Sequence, residues 1–305
     1  MNEQLPPPWE TIDEHFPVAR CGILVSGRKP SSPELVDGWV DACDRTLEQI
    51  ESSGIAVPKM TLSRWDPTRD EVVTADRNQG TQQAEIAKLL ALGLDGSLSW
   101  SGQARGAAPN LPFVYEADCW ALLDPPDWIS LGLDVTFVAE LSAADQVDIT
   151  GHLIDLVRTA SNDPHVHYAE VSPQALAGYR GATPWEDDLE PDCFGAGLRL
   201  APRWLRGVGS VTFVSDETLE RLTDRPALER SQDFVSVIEC PRGLLLVDRP
   251  NLWSEDSEHD SKIRSLVSER LVRDDILQEA MAFAANWQSG STAVEMDRYF
   301  EERDS

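Results

Sequence analysis

The sequence lacks the paired cysteines and the long apolar runs that mark several common classes of protein. Its five cysteines are odd in number and widely spaced: Cys21, Cys43, Cys119, Cys193 and Cys240. None of them forms a C-x-x-C pair. A disulfide scaffold and a zinc ribbon are therefore not expected. No stretch approaches the roughly 18 consecutive apolar residues that a membrane span requires. The first residues have neither a basic start nor an apolar core, so no signal peptide is predicted and we expect a reduced, cytoplasmic protein.

Positive charge is also scarce. The chain has 53 acidic residues against 26 basic ones, which gives a formal net charge of −27. Such a field repels nucleic acid and anionic membranes, and it speeds the encounter with a basic partner. We therefore expect no nucleic-acid and no membrane partner. Solubility or adaptation to salt would explain the same charge without a partner.

Ordinary composition and a first pattern of elements indicate a folded core. Apolar residues make up 41% and charged residues 26% of the 305 residues, as in folded soluble proteins. The run Arg20–Gly27 predicts a buried strand. Ser32 as N-cap and Pro33 at the first helical position predict a helix that ends at Gly54. Residues 57–65 then predict a returning strand.

The same order of elements recurs further along the chain. Residues 133–141 alternate between apolar and polar, which predicts a strand with one covered face. The segment from Ser142 to Asp145 predicts a capping box at the start of a helix, and residues 165–172 predict the returning strand. The recurrence suggests two related strand–helix–strand lobes, an N-terminal α+β lobe at residues 1–126 and a C-terminal α+β lobe at residues 127–305. One continuous domain is the alternative.

The rest of the chain completes the predicted fold class. Residues 210–214 predict a strand that runs into a helix capped by Ser215, and residues 234–247 predict a β-hairpin. Helix formers dominate from about Asp260 to Trp287. The predicted class is α+β, with mostly antiparallel sheets and helices packed on one face.

Two histidines are the candidate metal ligands. His165 and His167 stand two residues apart in a β-favouring run, and alternation along a strand would make them project side by side. A metal site needs at least a third ligand, but His152 lies in the preceding helix and Glu170 is expected on the opposite strand face. The sequence has no G-x-S-x-G and no G-x-x-x-x-G-K-[ST] motif. We predict a strand that carries histidines, with no catalytic residue and no cofactor; a metal-dependent enzyme using the His165/His167 face is the alternative.

An acidic loop beside a tryptophan is the candidate partner-binding segment. Residues 185–192 hold five acids in eight residues. They read either as a solvated loop or as an acidic epitope, anchored by an aromatic ring, for a basic protein. Five of the ten tryptophans are expected in loops or at their edges, where interaction surfaces use them: Trp100, Trp128, Trp185, Trp204 and Trp253. The predicted partner-binding residues are Trp185, Glu186, Asp187, Asp188, Glu190, Asp192 and Trp204.

The segment "FGAGLRLAPRWLRGVGSVTFVSDETLERL" resembles the C-terminal part of bacterial polymorphic-toxin immunity proteins, the group that includes the immunity protein 52 family. In that pattern a strand–helix–strand unit leads to an L-x-P-x-W segment, a short strand and a helix opened by acidic residues. The matching pieces here are Leu133–Ser172, Leu200–Trp204, Ser210–Val214 and Ser215–Leu222. The resemblance covers about half of the chain. It implies a protein without catalytic residues that binds and neutralises a cognate toxin, expected to be basic; an uncharacterised structural or regulatory domain is a further alternative.

Overall fold

A computed structural model shows a large antiparallel sheet that is flanked by helices. The described residues are 19–28, 30–51, 61–66, 71–75, 79–92, 97–104, 115–124, 128–137, 142–172, 203, 205, 208–222, 225–254, 257–266, 271, 273–286, 298–299 and 302. The strands are β1 (Ala19–Arg28), β2 (Thr61–Asp66), β3 (Glu71–Ala75), β4 (Ser97–Ala104), β5 (Tyr115–Asp124), β6 (Trp128–Phe137), β7 (Val166–Ser172), β8 (Val211–Ser215), β9 (Ser236–Cys240) and β10 (Gly243–Val247). The helices are α1 (Glu34–Glu51), α2 (Gln79–Leu92), α3 (Ala143–Ala160), α4 (Asp216–Leu222), α5 (Arg225–Glu229), α6 (Ser257–Leu266) and α7 (Asp274–Asn286).

The strand order shows how the chain builds its sheet. The ten strands follow the order β3-β2-β4-β5-β6-β1-β7-β8-β10-β9, and every pairing is antiparallel. The predicted α+β class with antiparallel strands is therefore confirmed. Strand β1 lies between β6 and β7, so Gly27 is opposite Val166 and Arg28 is opposite Trp128. The division at residue 126 stays a prediction, and β1 from the first range pairs with strands from the second.

Helix α3 forms where local sequence signals place it. Ser142 accepts a hydrogen bond from the backbone N–H of Asp145 at 3.2 Å, and Asp145 Oδ2 accepts one from the backbone N–H of Ser142 at 3.3 Å. This reciprocal pair is a complete capping box, which satisfies two backbone donors at the start of the helix. The predicted helix start is confirmed, and the returning strand follows as β7.

The strand before α3 begins earlier than the sequence pattern indicated. The prediction covered residues 133–141, whereas β6 runs from Trp128 to Phe137, and residues 138–141 lie outside the described part. Ile129 and Leu131 continue the alternation of Leu133 and Val135, and all four side chains are buried. The intervening Ser130 and Gly132 are buried as well, so both faces of β6 are buried at this point. Because Ser130 and Gly132 are polar or small, the apolar pattern is weak at these positions, and the sequence therefore did not indicate the first residues of the strand.

Two apolar clusters lie on opposite faces of the sheet. One cluster joins α1 and α3 to the face that carries Phe213 and Leu245. The other joins α4, α6 and α7 to the face that carries Val214 and Leu244. Because neighbouring residues of a strand point to opposite faces, helices cover β8 and β10 from both sides. The prediction that helices pack on one face is therefore wrong for this part of the sheet. Within the described residues, no helix combines the length and the apolar character needed to cross a membrane.

Candidate functional site

The outer side of α1 and α3 carries a dense group of carboxylates. The two helices pack against each other and turn their apolar sides toward the sheet. Trp39 on α1 fixes this layer through a hydrogen bond from its indole Nε1 to the backbone oxygen of Gly132, at 3.3 Å. Eight acidic side chains of the two helices are exposed or half-buried, against two arginines: Glu34, Asp37, Asp41, Asp44, Glu48, Asp145, Asp148 and Asp155, with Arg45 and Arg158.

Some of these carboxylates serve the fold and others face water without a partner. Asp37 accepts hydrogen bonds from Gln82 at 2.7 Å and Gln83 at 3.3 Å, which ties α1 to α2. In contrast, the carboxylates of four exposed acids make no hydrogen bond or ion pair within the described part of the chain: Asp41, Glu48, Asp148 and Asp155. No ion pair neutralises these charges, so they add to the negative field of the surface.

A turn at residues 251–254 packs against the first half of α3. The backbone N–H of Leu252 donates to Thr150 Oγ1 at 3.2 Å, and Asn251 Nδ2 donates to Gln146 Oε1 at 2.9 Å. The backbone N–H of Trp253 donates to Asn251 Oδ1 at 2.9 Å. These hydrogen bonds hold the half-buried Trp253 in one place beside the acidic helix layer.

The tryptophans expected in loops occupy different settings. Trp253 does lie in a turn, but Trp100 is within β4, opposite Leu62 and Cys119. Trp128 is the first residue of β6 and is buried. For Trp100 the prediction is wrong, because non-local strand pairing extends into a segment rich in glycine and serine. Trp128 lies at the boundary of its strand, which agrees with the predicted edge position. The predicted partner-binding residues Trp185, Glu186, Asp187, Asp188, Glu190, Asp192 and Trp204 all lie outside the described residues.

The two candidate metal ligands lie in different local settings. His165 lies in a turn before β7, where both its backbone N–H and its Nδ1 are 2.9 Å from Asp163 Oδ1. His167 is the extra residue of a β-bulge, since Ser26 is opposite Tyr168 and Gly27 is opposite Val166. The regular strand alternation on which the side-by-side expectation rested therefore does not hold between the two residues. No group of three or more metal-ligating side chains occurs among the residues that the structure describes.

His167 is buried at the end of the central strands. Its side chain is 2% exposed, and its ring stacks on Trp128 with 5.7 Å between the centroids. Nδ1 lies 3.4 Å from Glu217 Oε2, and neither ring nitrogen has a hydrogen-bond partner within the described residues. Burial lowers the pKa of His167 to about 4, against the opposing effect of Glu217 and with smaller lowering effects from Arg28, Arg242 and His165. The imidazole is therefore neutral at pH 7.

A buried polar network next to the 251–254 turn was not foreseen from the sequence. Asp248 and Arg249 follow β10 and are each 4% exposed. Asp248 Oδ2 accepts two hydrogen bonds from the Arg249 guanidinium, at 3.0 and 2.8 Å, while Oδ1 contacts Nε2 of His259 on α6. Arg249 Nη1 also donates to the backbone oxygen of Ser254 at 2.6 Å. The network joins the sheet, the turn and α6. The sequence did not indicate it, because two adjacent residues of opposite charge are equally typical of an exposed ion pair.

Comparisons with known proteins give no close relative. No family model matches the chain, and no curated protein matches it. Among solved structures, the chain is similar to a Pseudomonas aeruginosa T6SS protein, with 14% identity, a TM-score of 0.45, and cover of 90% of this chain and 88% of that one. A chain from the structure of the toxic C-terminal tip of CdiA from Pseudomonas aeruginosa in complex with immune protein gives 8% identity and a TM-score of 0.32, with cover of 52% and 88%. At these TM-scores, neither likeness carries an argument about function.

Proposed function

We propose that this chain is a non-enzymatic binding protein that neutralises a cognate basic protein toxin through its acidic surface. The observation that carries the proposal is the outer side of α1 and α3, where acidic side chains outnumber arginines and four of them face solvent without an ion pair to any described residue: Asp41, Glu48, Asp148 and Asp155. The sequence resemblance to bacterial toxin immunity proteins supports a toxin as the partner. The net charge of −27 supports a basic one.

The physical mechanism is steering followed by occlusion. A surface of one charge sign raises the association rate with an oppositely charged protein, by up to about 10²–10³-fold at low salt. Helices held on a sheet by a continuous apolar core offer a rigid surface, which keeps the entropic cost of binding low. The bound protein then blocks whatever face of the toxin meets its substrate.

No described observation favours the alternative of a metal-dependent enzyme at the His165/His167 face. His167 is buried and stacked on Trp128, and His165 is turned to Asp163. A metal analysis of the purified chain tests this alternative directly. Stoichiometric zinc, iron or manganese would contradict the binding-only proposal.

The binding test uses the product of the neighbouring gene as the probe. We expect the chain to form a stable complex with that protein and to restore growth of cells that express it. A triple variant with Asp41→Asn, Asp148→Asn and Asp155→Asn should weaken binding about tenfold, which corresponds to about 1.4 kcal/mol shared among three rim charges.

A matched control removes the same charge elsewhere. Glu220→Gln, Glu258→Gln and Asp274→Asn also neutralise three exposed carboxylates, but on α4, α6 and α7. We expect this control to bind within twofold of the wild type. Equal effects of the two triple variants would show that only net charge matters, and failure of the wild type to bind would contradict the proposed function.

A further inference from the structure

An exposed apolar side chain lies within the acidic helix layer. Within the described residues, the exposed large apolar side chains are Val147, Val235 and Met281, with exposed fractions of 47%, 61% and 51%. Only Val147 belongs to α1 or α3. It follows Gln146 and stands one helical turn from Thr150, the two residues that hold the 251–254 turn. Val147 therefore lies near the 251–254 turn, whose Trp253 is half-buried and packs in part against the apolar core.

The turn that presents Trp253 is fixed before any partner arrives. The backbone N–H groups of Leu252, Trp253 and Ser254 donate to Thr150 Oγ1, Asn251 Oδ1 and the backbone oxygen of Asn251. Arg249 holds the far end of the turn through the backbone oxygen of Ser254. Tryptophans in ordered settings are enriched among residues that dominate binding energy, since little conformational freedom is lost when they are covered.

A glycine on the exposed side of α3 makes no packing contact that requires glycine. Gly151 is exposed, and a Cβ atom there would meet nothing within 4 Å. Glycine destabilises a helix interior relative to alanine, so this position gives up stability without a packing contact that requires it. Gly151 lies one turn after Val147, and the missing side chain leaves a flat spot where another backbone can approach closely.

We propose that Val147, Gly151 and Trp253 form the apolar anchor of the partner interface, with Asp148 and Asp155 as its charged rim; these five residues are named the anchor surface. The occupant is a segment of the basic partner. Its backbone lies over Gly151, an apolar side chain covers Val147 and Trp253, and lysine or arginine side chains on either side meet the two aspartates. Asp148 and Asp155 make no ion pair with any described residue, and this argues for a basic occupant. The inference rests on the proposed function and names the part of the surface that holds the partner.

The test measures the affinity and dissociation rate of variants with the protein encoded by the neighbouring gene, in a catalytically inactive form, as the probe. Val147→Asp places a charge in the anchor, and Gly151→Met fills the flat spot with a side chain that favours helix. We expect each to weaken binding at least tenfold, mainly through faster dissociation. The matched controls are Met281→Asp, an equally exposed apolar residue on α7, and Gly38→Met, an exposed glycine of α1 whose Cβ would also meet nothing within 4 Å. Both controls should bind within twofold of the wild type.

The outcomes separate the anchor surface from the proposed function. If the wild type binds the probe and both anchor variants stay within twofold, the anchor is overturned and the proposed function stands. If Gly38→Met weakens binding as much as Gly151→Met, the interface is not centred on the turn and the anchor is likewise overturned. If the wild type does not bind the probe, both the anchor surface and the proposed function are contradicted. If the wild type forms a dimer that Val147→Asp dissociates, a second copy of the chain occupies this surface and the proposal is overturned. If free Val147→Asp has a much lower melting temperature than the wild type, the chain's own residues cover the surface, and the proposal is overturned as well.

Discussion

Acid should destabilise the protein through one buried side chain. His167 is buried against Trp128 without a hydrogen-bond partner among the described residues, and its pKa is lowered from 6.5 to about 4. In the unfolded chain the imidazole takes up a proton as the pH falls below 6.5, whereas in the folded protein it stays neutral until about pH 4. Between these two values the unfolded state binds more protons, so the free energy of unfolding falls as the pH falls.

The size of the effect follows from the two pKa values. A difference from 6.5 to about 4 corresponds to about 3 kcal/mol in full, reached below pH 4. Between pH 7.5 and pH 5.0 the same linkage gives a loss of about 2 kcal/mol. Replacing His167 by Phe keeps an aromatic ring for Trp128 to stack on and removes the titrating group. His167→Phe should therefore lose about 2 kcal/mol less than the wild type over this range.

Urea denaturation at pH 7.5 and pH 5.0 measures this difference. Titration of the many carboxylates affects both proteins alike and cancels in the comparison. Val171→Ala is the matched control, because it weakens the core on the same strand and leaves His167 in place. This control should keep the full pH dependence of the wild type. Parallel pH dependence of the wild type and His167→Phe would refute the reasoning.

Three further predictions concern stability. Gly38→Ala and Gly151→Ala should each raise the free energy of unfolding by about 1 kcal/mol, because both positions are helical, exposed and open; thermal denaturation checks this, and a loss of stability would contradict it. Asp248→Asn should cost about 3–5 kcal/mol in urea denaturation, since it leaves the buried Arg249 charge without its carboxylate, and a loss under 1 kcal/mol would show that the pair is dispensable. Ser142→Ala should cost about 1 kcal/mol by removing the capping box of α3, and unchanged stability by circular dichroism melting would argue against the cap.

Local signals predicted the elements that depend on nearby residues. Apolar residues recur at helical spacing along α1, and all of them are buried: Leu35, Val36, Trp39, Val40, Cys43, Leu47 and Ile50. The capping box of α3 is equally local, because Ser142 and Asp145 are three residues apart. Both helices could be predicted since their hydrogen bonds close within the segment itself.

The strand order and the histidine geometry depend on distant parts of the chain. Nothing in the sequence around β1 indicates that it pairs with both β6 and β7. The bulge at His167 arises from the register between β1 and β7, and one extra residue changes the direction of the side chain. Alternation alone therefore suggested a metal-like pair, although His165 precedes the strand and His167 lies at a bulge. Burial of Glu170, which accepts a hydrogen bond from Tyr168 at 2.7 Å, likewise depends on strands far away in sequence.

The association rate with the neighbouring gene product, measured against salt concentration, tests the role of the acidic helix surface most directly. We expect the rate for the wild type to fall as salt rises, and the Asp41→Asn, Asp148→Asn, Asp155→Asn variant to associate about tenfold more slowly at low salt. At high salt the two rates should converge, because screening removes the contribution of exposed charges. Absence of binding, or equal rates for the two proteins at every salt concentration, would contradict neutralisation of a basic partner through α1 and α3.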